Sequence, residues 1–271
     1  MYMTDFTYDG KRLSDYGFII ASVYTNRDNS VEMSSKMNFN TIKNNENFSY
    51  SIVGLDYQDT LQASFDIVKN PCISNDPISP TELSFVTKWL NTNTYKEFHP
   101  IYNDDSFSDV VYTGKFDVSA ITIGGDVYGF ALTFTSNSPF AHSTNKHIEF
   151  TTNSHSETFT YISDSEQYGI VYPSQCEITC LDDGDLIITN SLDETNPVII
   201  KNCSSGEVIS IDGVHKVITS SIEHSKLFND FNYNYLKLIT NEKSNINYIT
   251  FSIPVSVRMS ISTIRKVGII V

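Results

Sequence analysis

Alternation of apolar and polar residues with a period of two is the feature that most restricts how this chain can fold. It is clearest over residues 130–135, 249–253 and 255–261. A strand with one buried face requires this pattern, because its side chains point alternately to opposite sides of the sheet. Abundant Asn, Ser, Thr, Ile and Tyr also favour strands and turns over helices. Many short strands at close spacing predict a mainly β protein built from sandwiches or barrels.

One segment predicts a helix instead. Ser79 is a good N-cap, Pro80 suits the first helical position, and Glu82 is placed to close a capping box. Apolar residues then recur at helical spacing until a run of Asn and Thr over 91–94 ends the pattern. We expect a helix that packs its apolar face, which includes Trp89, onto a sheet.

The chain of 271 residues is long enough for two domains. Residues 136–156 are largely polar and rich in turn formers, which places the boundary there. The sequence therefore predicts a first domain over residues 1–140, sandwich-like with one packed α-helix. A second domain, an antiparallel β-sandwich, is predicted over residues 141–271.

The charge and the targeting signals exclude several classes of protein. The formal net charge is −14, and no cluster of Lys and Arg could neutralise a run of phosphates, so nucleic-acid binding is not expected. The first residues show neither a basic n-region nor an apolar h-region, so a signal peptide is not expected, and no stretch approaches the roughly 18 apolar residues that span a bilayer. We expect a soluble chain without membrane insertion, synthesised in the cytoplasm with free thiols at its scattered cysteines.

Two segments resemble binding loops but favour turns. Residues 124–129 lack the G-x-G spacing of a phosphate loop and lead into a strand, whereas phosphate binding needs a helix N-terminus. Residues 181–186 hold three carboxylates that could attract calcium, yet Asp-Gly between alternating segments is a strong hairpin signal. Both segments are interpreted as hairpin turns, with metal binding at the second as the lesser alternative.

The cysteines and histidines show no metal-ligand spacing. Cys176 and Cys180 lie in a segment with a strand pattern, so they are about 13 Å apart on one face, too far to chelate one zinc ion. Buried free thiols, including Cys203, are expected instead. The histidines form no paired ligand motif and are interpreted as surface or loop residues: His99, His142, His147, His155, His215 and His224.

Adjacent acidic residues do not form a catalytic pair. In Asp104–Asp105 and Asp193–Glu194, neighbouring side chains on a strand would point to opposite faces and could not flank one glycosidic bond. We interpret them as solvated loop charges. No catalytic, metal-binding or cofactor-binding residue is predicted, and the chain is not expected to be an enzyme.

Several pieces of the first half form an ordered series. Residues 6–10 followed by 15–20 look like an opening hairpin. The capped helix around Trp89 comes next, then residues 112–116 and 129–141. In this order the segment resembles the N-terminal domain of the distal tail proteins of long-tailed phages and prophages that infect Gram-positive bacteria.

The second half continues the same resemblance. Residues 197–202, 206–213 and 227–232 are similar to parts of the galectin-like C-terminal sandwich of that family. The resemblance covers nearly the whole chain and implies a structural part of the virion tail tip, assembled in the host cytoplasm. The first domains would form a ring, a hexamer in this family, with the second domains outside. The ring would connect the tail tube protein to a hub or fibre protein and the receptor-binding apparatus, with a neutral or acidic lumen for DNA passage.

Two alternatives remain open. The first is a carbohydrate-binding adhesion module, which needs exposed tyrosines arranged as a stacking platform in residues 151–271, since the only tryptophan, Trp89, lies in the first domain. The second is a tail-associated hydrolase, which needs carboxylates from distant strands about 5 to 9 Å apart in one cleft.

Overall fold

The structure, a computed structural model, describes residues 2–21, 37–44, 49–57, 60–154, 157–222, 224 and 226–271. The chain forms two compact units. The first contains the residues up to His142 together with Arg265–Val271, and the second contains Ser143–Ile264. Among the described residues, no helix is long and apolar enough to cross a bilayer.

Most of the described residues lie in strands. The strands up to the boundary are β1 Met3–Tyr8, β2 Lys11–Arg12, β3 Phe18–Ala21, β4 Met37–Asn44, β5 Ser49–Tyr57, β6 Gln62–Lys69, β7 Lys96–Tyr102, β8 Val110–Ile123, β9 Asp126–Ser136 and β10 Ala141–Ser143. Those that follow are β11 Lys146–Thr151, β12 Thr158–Ile162, β13 Gly169–Val171, β14 Gln175–Cys180, β15 Gly184–Asn190, β16 Val198–Cys203, β17 Val208–Asp212, β18 Val217–Ser220, β19 Leu238–Thr240, β20 Ile246–Phe251, β21 Val255–Ile261 and β22 Ile264–Arg265. The helices are α1 Pro80–Leu90, α2 Leu227–Asp230 and a 3-10 turn at Leu13–Tyr16. The expected mainly β fold is confirmed.

The first unit is built on one curled sheet in the order β2-β1-β7-β8-β9-β6-β3. Phe6 on β1 and Phe65 on β6 are separated by three strands in this order. In a flat sheet they would lie about 19 Å apart, yet their ring centroids are 5.7 Å apart. The sheet therefore curls around an aromatic core, and this curled sheet is the form that the expected sandwich-like domain takes. The core rings include Phe6, Phe65, Phe98, Phe116 and Phe134.

The predicted helix is confirmed and packs against this core. The Ser79 hydroxyl accepts a hydrogen bond from the Glu82 N–H, and the Glu82 carboxylate accepts one from the Ser79 N–H at 2.8 Å, which completes the capping box. Trp89 is buried, and its Nε1 donates to the carbonyl oxygen of Tyr8 at 2.8 Å. Its ring also stacks on Phe6 at 5.9 Å. The helix is thereby fixed against the first strand.

Two predicted turns of the first unit have the expected geometry. Asp9 and Gly10 join β1 to β2 with φ of 51° and 73°, and Gly124 and Gly125 join β8 to β9 with φ of 63° and 100°. Left-handed conformations at both central positions are typical of a type I′ hairpin turn. The hairpin interpretation of residues 124–129 is confirmed.

The second unit is a β-sandwich. One sheet has the order β11-β21-β14-β17-β18, and the other has the order β12-β20-β15-β16. Ile178 on β14 and Ile188 on β15 belong to one core shared by the two sheets. A short ribbon of β13 and β19 completes the unit.

The hairpin predicted at residues 181–186 is wrong. β14, which precedes this segment, pairs with β17 and β21, whereas β15, which follows it, pairs with β16 and β20 in the other sheet. The carboxylates cap backbone N–H groups: Asp183 accepts from Ser205 at 2.7 Å, and Asp185 accepts from Asn202 at 3.0 Å. The segment is a corner between sheets, because Asp-Gly favours a turn without determining which strand pairs with which.

The end of the chain returns to the first unit. Ile269 is buried in the first core, and the Tyr112 hydroxyl lies 3.2 Å from the carbonyl oxygens of both Val267 and Gly268. The Arg265 guanidinium pairs with Asp109 at 3.2 Å. The structural division thus differs from the predicted boundaries of 1–140 and 141–271, because these last residues complete the first core. Residues 155–156 of the predicted boundary segment lie outside the described residues.

Candidate functional site

The described residues contain no group of three or more His, Cys, Asp or Glu side chains that could hold a metal ion. The two acidic pairs are also separate. Asp104 accepts a hydrogen bond from the Ser106 N–H. For Asp193 the prediction of a solvated loop charge is wrong. Its side chain is only 17% exposed and binds the Lys237 ammonium at 2.8 Å. Although partial burial opposes ionisation, Lys237 and Asn196 hold the pKa of Asp193 below its usual value.

The three cysteines of the second unit are buried free thiols, as expected. Burial raises the pKa of Cys176 to about 12, which makes that thiol inert as a nucleophile. Cys180 on β14 and Cys203 on β16 both lie in the core between the two sheets, and the Cys203 thiol donates to the carbonyl oxygen of Ile200 at 3.5 Å. Sequence spacing could not place Cys180 and Cys203 in one core, because the two residues lie on different sheets. That none of these cysteines has a catalytic or metal-binding role stays a prediction.

His224 lies in a loop, one of the two positions predicted for the histidines, but it is not at the surface. Its side chain is 7% exposed and lies between the carboxylates of Glu207, at 2.8 Å from Nδ1, and Asp230, at 3.2 Å from Nε2. The fully buried Glu207 also accepts hydrogen bonds from the Ser220 hydroxyl and the Ser204 N–H. Burial opposes the charged imidazole, but the two carboxylates raise the pKa of His224 above its ordinary value. This cluster fixes loops of the second unit. His155 lies outside the described residues.

The hairpin of β4 and β5 is the candidate interaction surface of the first unit. Among the residues that the structure describes, the two strands pair only with each other. The pairs Met37–Tyr57, Phe39–Leu55, Thr41–Ile52 and Lys43–Tyr50 alternate with Asn38–Asp56, Asn40–Gly54 and Ile42–Ser51. Directly opposed residues share a face of the ribbon. One face is therefore mainly apolar and the other mainly polar. We call the first of these the apolar face.

A β-bulge at Val53 makes the apolar face continuous. Along β5, Tyr50 and Ile52 occupy even positions whereas Leu55 and Tyr57 occupy odd ones, so a regular strand would place the two pairs on opposite faces. The register shifts between Asn40 and Thr41 on the partner strand, which leaves one additional residue on β5. A bulge of this kind restores the alternation on its far side.

The apolar face is open to solvent. Phe39 is 53% exposed, Ile52 62% and Tyr50 67%. At its base, Tyr57 packs edge-on against Phe140 at 4.8 Å, which attaches the hairpin to the first unit. A two-stranded hairpin alone is only marginally stable in water, and a contiguous exposed apolar patch is typical of an interaction surface. The geometry therefore identifies the hairpin as a candidate assembly surface.

Sequence reasoning missed this hairpin. Its signal was present in the alternation of Tyr50-Ser51-Ile52 and of Leu55-Asp56-Tyr57. Val53 and Gly54 interrupt that alternation, so the period-two test fails over the whole segment. The strand could have been recognised only if the period-two pattern had been allowed one inserted residue, as a bulge requires.

Comparison with known proteins identifies the family. A sequence profile described as "phage tail protein N-terminal domain" matches residues 1–138, and one described as "phage tail C-terminal domain" matches residues 140–262. The chain belongs to a family of phage tail proteins. The two profiles follow each other along the chain in the order that the resemblance to distal tail proteins implies, and that resemblance is confirmed. No match is found among curated proteins.

Solved structures share the fold of this phage tail protein at low identity. The Dit (gp 19.1) protein of SPP1, described as a paradigm of the hub adsorption apparatus in Gram-positive infecting phages, matches with a TM-score of 0.62 and 11% identity over 96% of this chain and 98% of that one. A chain of the phage P2 baseplate in its activated conformation with Ca matches with a TM-score of 0.52 and 7% identity over 98% of this chain and 100% of that one.

Proposed function

We propose that this protein is a non-enzymatic structural component of the tail tip, and that copies of it assemble into a ring through the β4–β5 hairpin. The single observation that carries the proposal is the solvent-exposed apolar face of that hairpin, with Phe39, Ile52 and Tyr50 each more than half exposed. Its occupant is a neighbouring copy of the first unit.

The geometry of such a contact is compatible with a ring. A hairpin that packs on a different surface of the next copy makes a head-to-tail contact, and repeated head-to-tail contacts close into rings or extend into filaments. Lys43 is the only charged residue of the apolar face, and Asp56 lies on the opposite face. The contact therefore avoids the repulsion expected between copies whose net charge is −14.

The family and its structural neighbours support a proposal about the partners. The SPP1 and P2 neighbours belong to a hub adsorption apparatus and to a baseplate. By analogy, we place the ring, a hexamer, between the tail tube protein and a hub or fibre protein, with receptor-binding proteins nearby and a galectin-like sandwich on the outside. An acidic or neutral lumen would let DNA pass without displacing its counterions.

Mass measurement of the purified chain over a range of concentrations tests this function. We expect a ring-sized species that dissociates on dilution. Ile52→Glu should weaken assembly at least about a hundredfold, because it would bury an unpaired carboxylate in the contact.

Ser51→Glu is the matched control. It adds the same charge one residue away on the polar face, and it should assemble like the unmodified chain. A monomer at every concentration would contradict the proposal, as would equal assembly of the Ile52→Glu and Ser51→Glu variants.

A further inference from the structure

A shallow groove lies on the second unit, far in sequence from the hairpin. Its volume is about 260 Å³, and it lies over strands β12, β15 and β20 of the four-stranded sheet. The residues that line it are Thr158, Thr189, Ser191, Glu194, Tyr248 and Thr250. It contains hydroxyl groups, one aromatic ring and one carboxylate.

The strand register explains how these side chains come together. Thr250 on the middle strand pairs with Thr158 on one side and Thr189 on the other, so three threonines form one row across the sheet. In the next row, Tyr248 lies opposite Thr160, and its backbone exchanges hydrogen bonds with Ser191. The two rows span about 10 Å across three strands.

Three threonine hydroxyls and one carboxylate of the groove are available to a ligand, whereas the Ser191 hydroxyl accepts a hydrogen bond from the Tyr248 N–H. Within the described ranges, the hydroxyls of Thr158, Thr189 and Thr250 make no hydrogen bond to another protein group. Tyr248 is 48% exposed, and the exposed Glu194 carboxylate forms no ion pair with any described residue. Its neighbour Asp193 is bound to Lys237.

We propose that this groove binds a neutral saccharide. Sugar hydroxyls both donate and accept hydrogen bonds, as threonine and serine hydroxyls do, and the apolar face of a sugar ring packs on an exposed aromatic ring such as Tyr248. None of the described residues that line the groove carries a positive charge that could bind a phosphate or sulfate, and Glu194 repels anions. Because the groove is open and shallow, we expect a dissociation constant of about 1 mM.

The groove binds without hydrolysis. Cleavage of a glycosidic bond needs two carboxyl groups on opposite sides of it. Glu194 is the only acidic side chain among the lining residues. The site therefore adds an adhesion function to the structural one and does not depend on ring formation.

Titration of the full-length chain with oligosaccharides, followed by protein-observed NMR, tests the proposal. The probes are the neutral cellotetraose, maltotetraose, mannotetraose and chitotetraose, with tetragalacturonate as the anionic comparison. We expect at least one neutral probe to bind and Tyr248→Ala to weaken it about tenfold or more, a change of about 1.4 kcal/mol. Thr250→Val, which removes one hydroxyl at almost constant volume, should weaken it severalfold.

Tyr168→Ala is the matched control, because Tyr168 is a 60% exposed tyrosine of the same unit outside the groove. It should bind within twofold of the unmodified chain, and the NMR spectrum reports whether each variant is folded. Three results would overturn the proposal: no binding of any neutral probe up to about 10 mM, equal binding by the Tyr248→Ala and Tyr168→Ala variants, or preferential binding of tetragalacturonate. Ring assembly of the Tyr248→Ala variant should be unchanged, so failure here is distinguishable from failure of the proposed function.

Discussion

At the scale of single residues, the His224 cluster makes the stability of the second unit depend on pH. His224 has a raised pKa in the folded chain, so its contribution is fully present below its unfolded pKa and is lost as the pH rises through the folded pKa. The contribution of Glu207 to stability depends on pH in the opposite direction. Although burial opposes ionisation, Ser220, Ser204 and His224 lower the pKa of Glu207. Its contribution is present above its unfolded pKa and is lost as the pH falls. The cluster stabilises most strongly between about pH 4.5 and 6.5.

His224→Gln should therefore destabilise the protein more at about pH 5.5 than at about pH 8.5. At the lower pH we expect a loss of about 2 kcal/mol in the free energy of unfolding, since hydrogen bonds to charged groups are lost. Urea unfolding followed by circular dichroism at both pH values measures it. His215→Gln is the control, because its ion pair with Asp212 involves a side chain that is 76% exposed. Equal losses for the His224→Gln variant at the two pH values would contradict the assignment.

At the scale of elements, deletions at the bulge at Val53 test whether assembly depends on the apolar side chains sharing one face of the hairpin or only on their presence in the sequence. Deleting Val53 alone leaves Tyr50, Ile52, Leu55 and Tyr57 in strict alternation, so the apolar face persists in a regular hairpin. Deleting Val53 and Gly54 together moves Tyr50 and Ile52 to the opposite face. We expect ring assembly to survive the first deletion and to be lost with the second, as measured by the mass of each variant in solution. Similar assembly of both variants would exclude the apolar face as the contact.

Elements with local signals could be predicted from the sequence, and those with distant partners could not. The helix after Ser79 and the turn at Gly124–Gly125 depend on residues adjacent in the chain, so capping and turn rules suffice. The corner at Asp183 has the same local signal as a hairpin, but its outcome depends on which sheet each flanking strand joins.

Pairings across the fold have even less local signal. Glu207 and His224 are 17 positions apart in the sequence, and the two cysteines at positions 180 and 203 lie on different sheets. No periodicity connects residues at such separations. The hydroxyl groove is also invisible in the sequence, because its rows exist only once the register of three strands is fixed.

At the scale of the whole molecule, the return of the last residues to the first unit alters how the two units should fold. Residues 143–264 form a closed sandwich and should fold alone, whereas the residues up to His142 lack part of their core without Arg265–Val271. We therefore expect the second unit, but not the residues up to His142, to fold independently. Trp89, the only tryptophan, lies in the first unit and reports on that unit alone by fluorescence.

Removal of residues 265–271 should lower the stability of the first unit by at least about 3 kcal/mol, because it exposes the site of Ile269 and removes the partners of a buried tyrosine hydroxyl. Those partners are the carbonyl oxygens of Val267 and Gly268, which lie 3.2 Å from the Tyr112 hydroxyl. Denaturant unfolding followed by Trp89 fluorescence should show the midpoint moving to lower denaturant, while the sandwich keeps its own transition in circular dichroism. Removal of Val271 alone is the control, because that residue is 40% exposed. An unchanged Trp89 transition after the seven-residue deletion would mean that the first core is complete without the returning segment, and that the two units divide once along the chain and not twice.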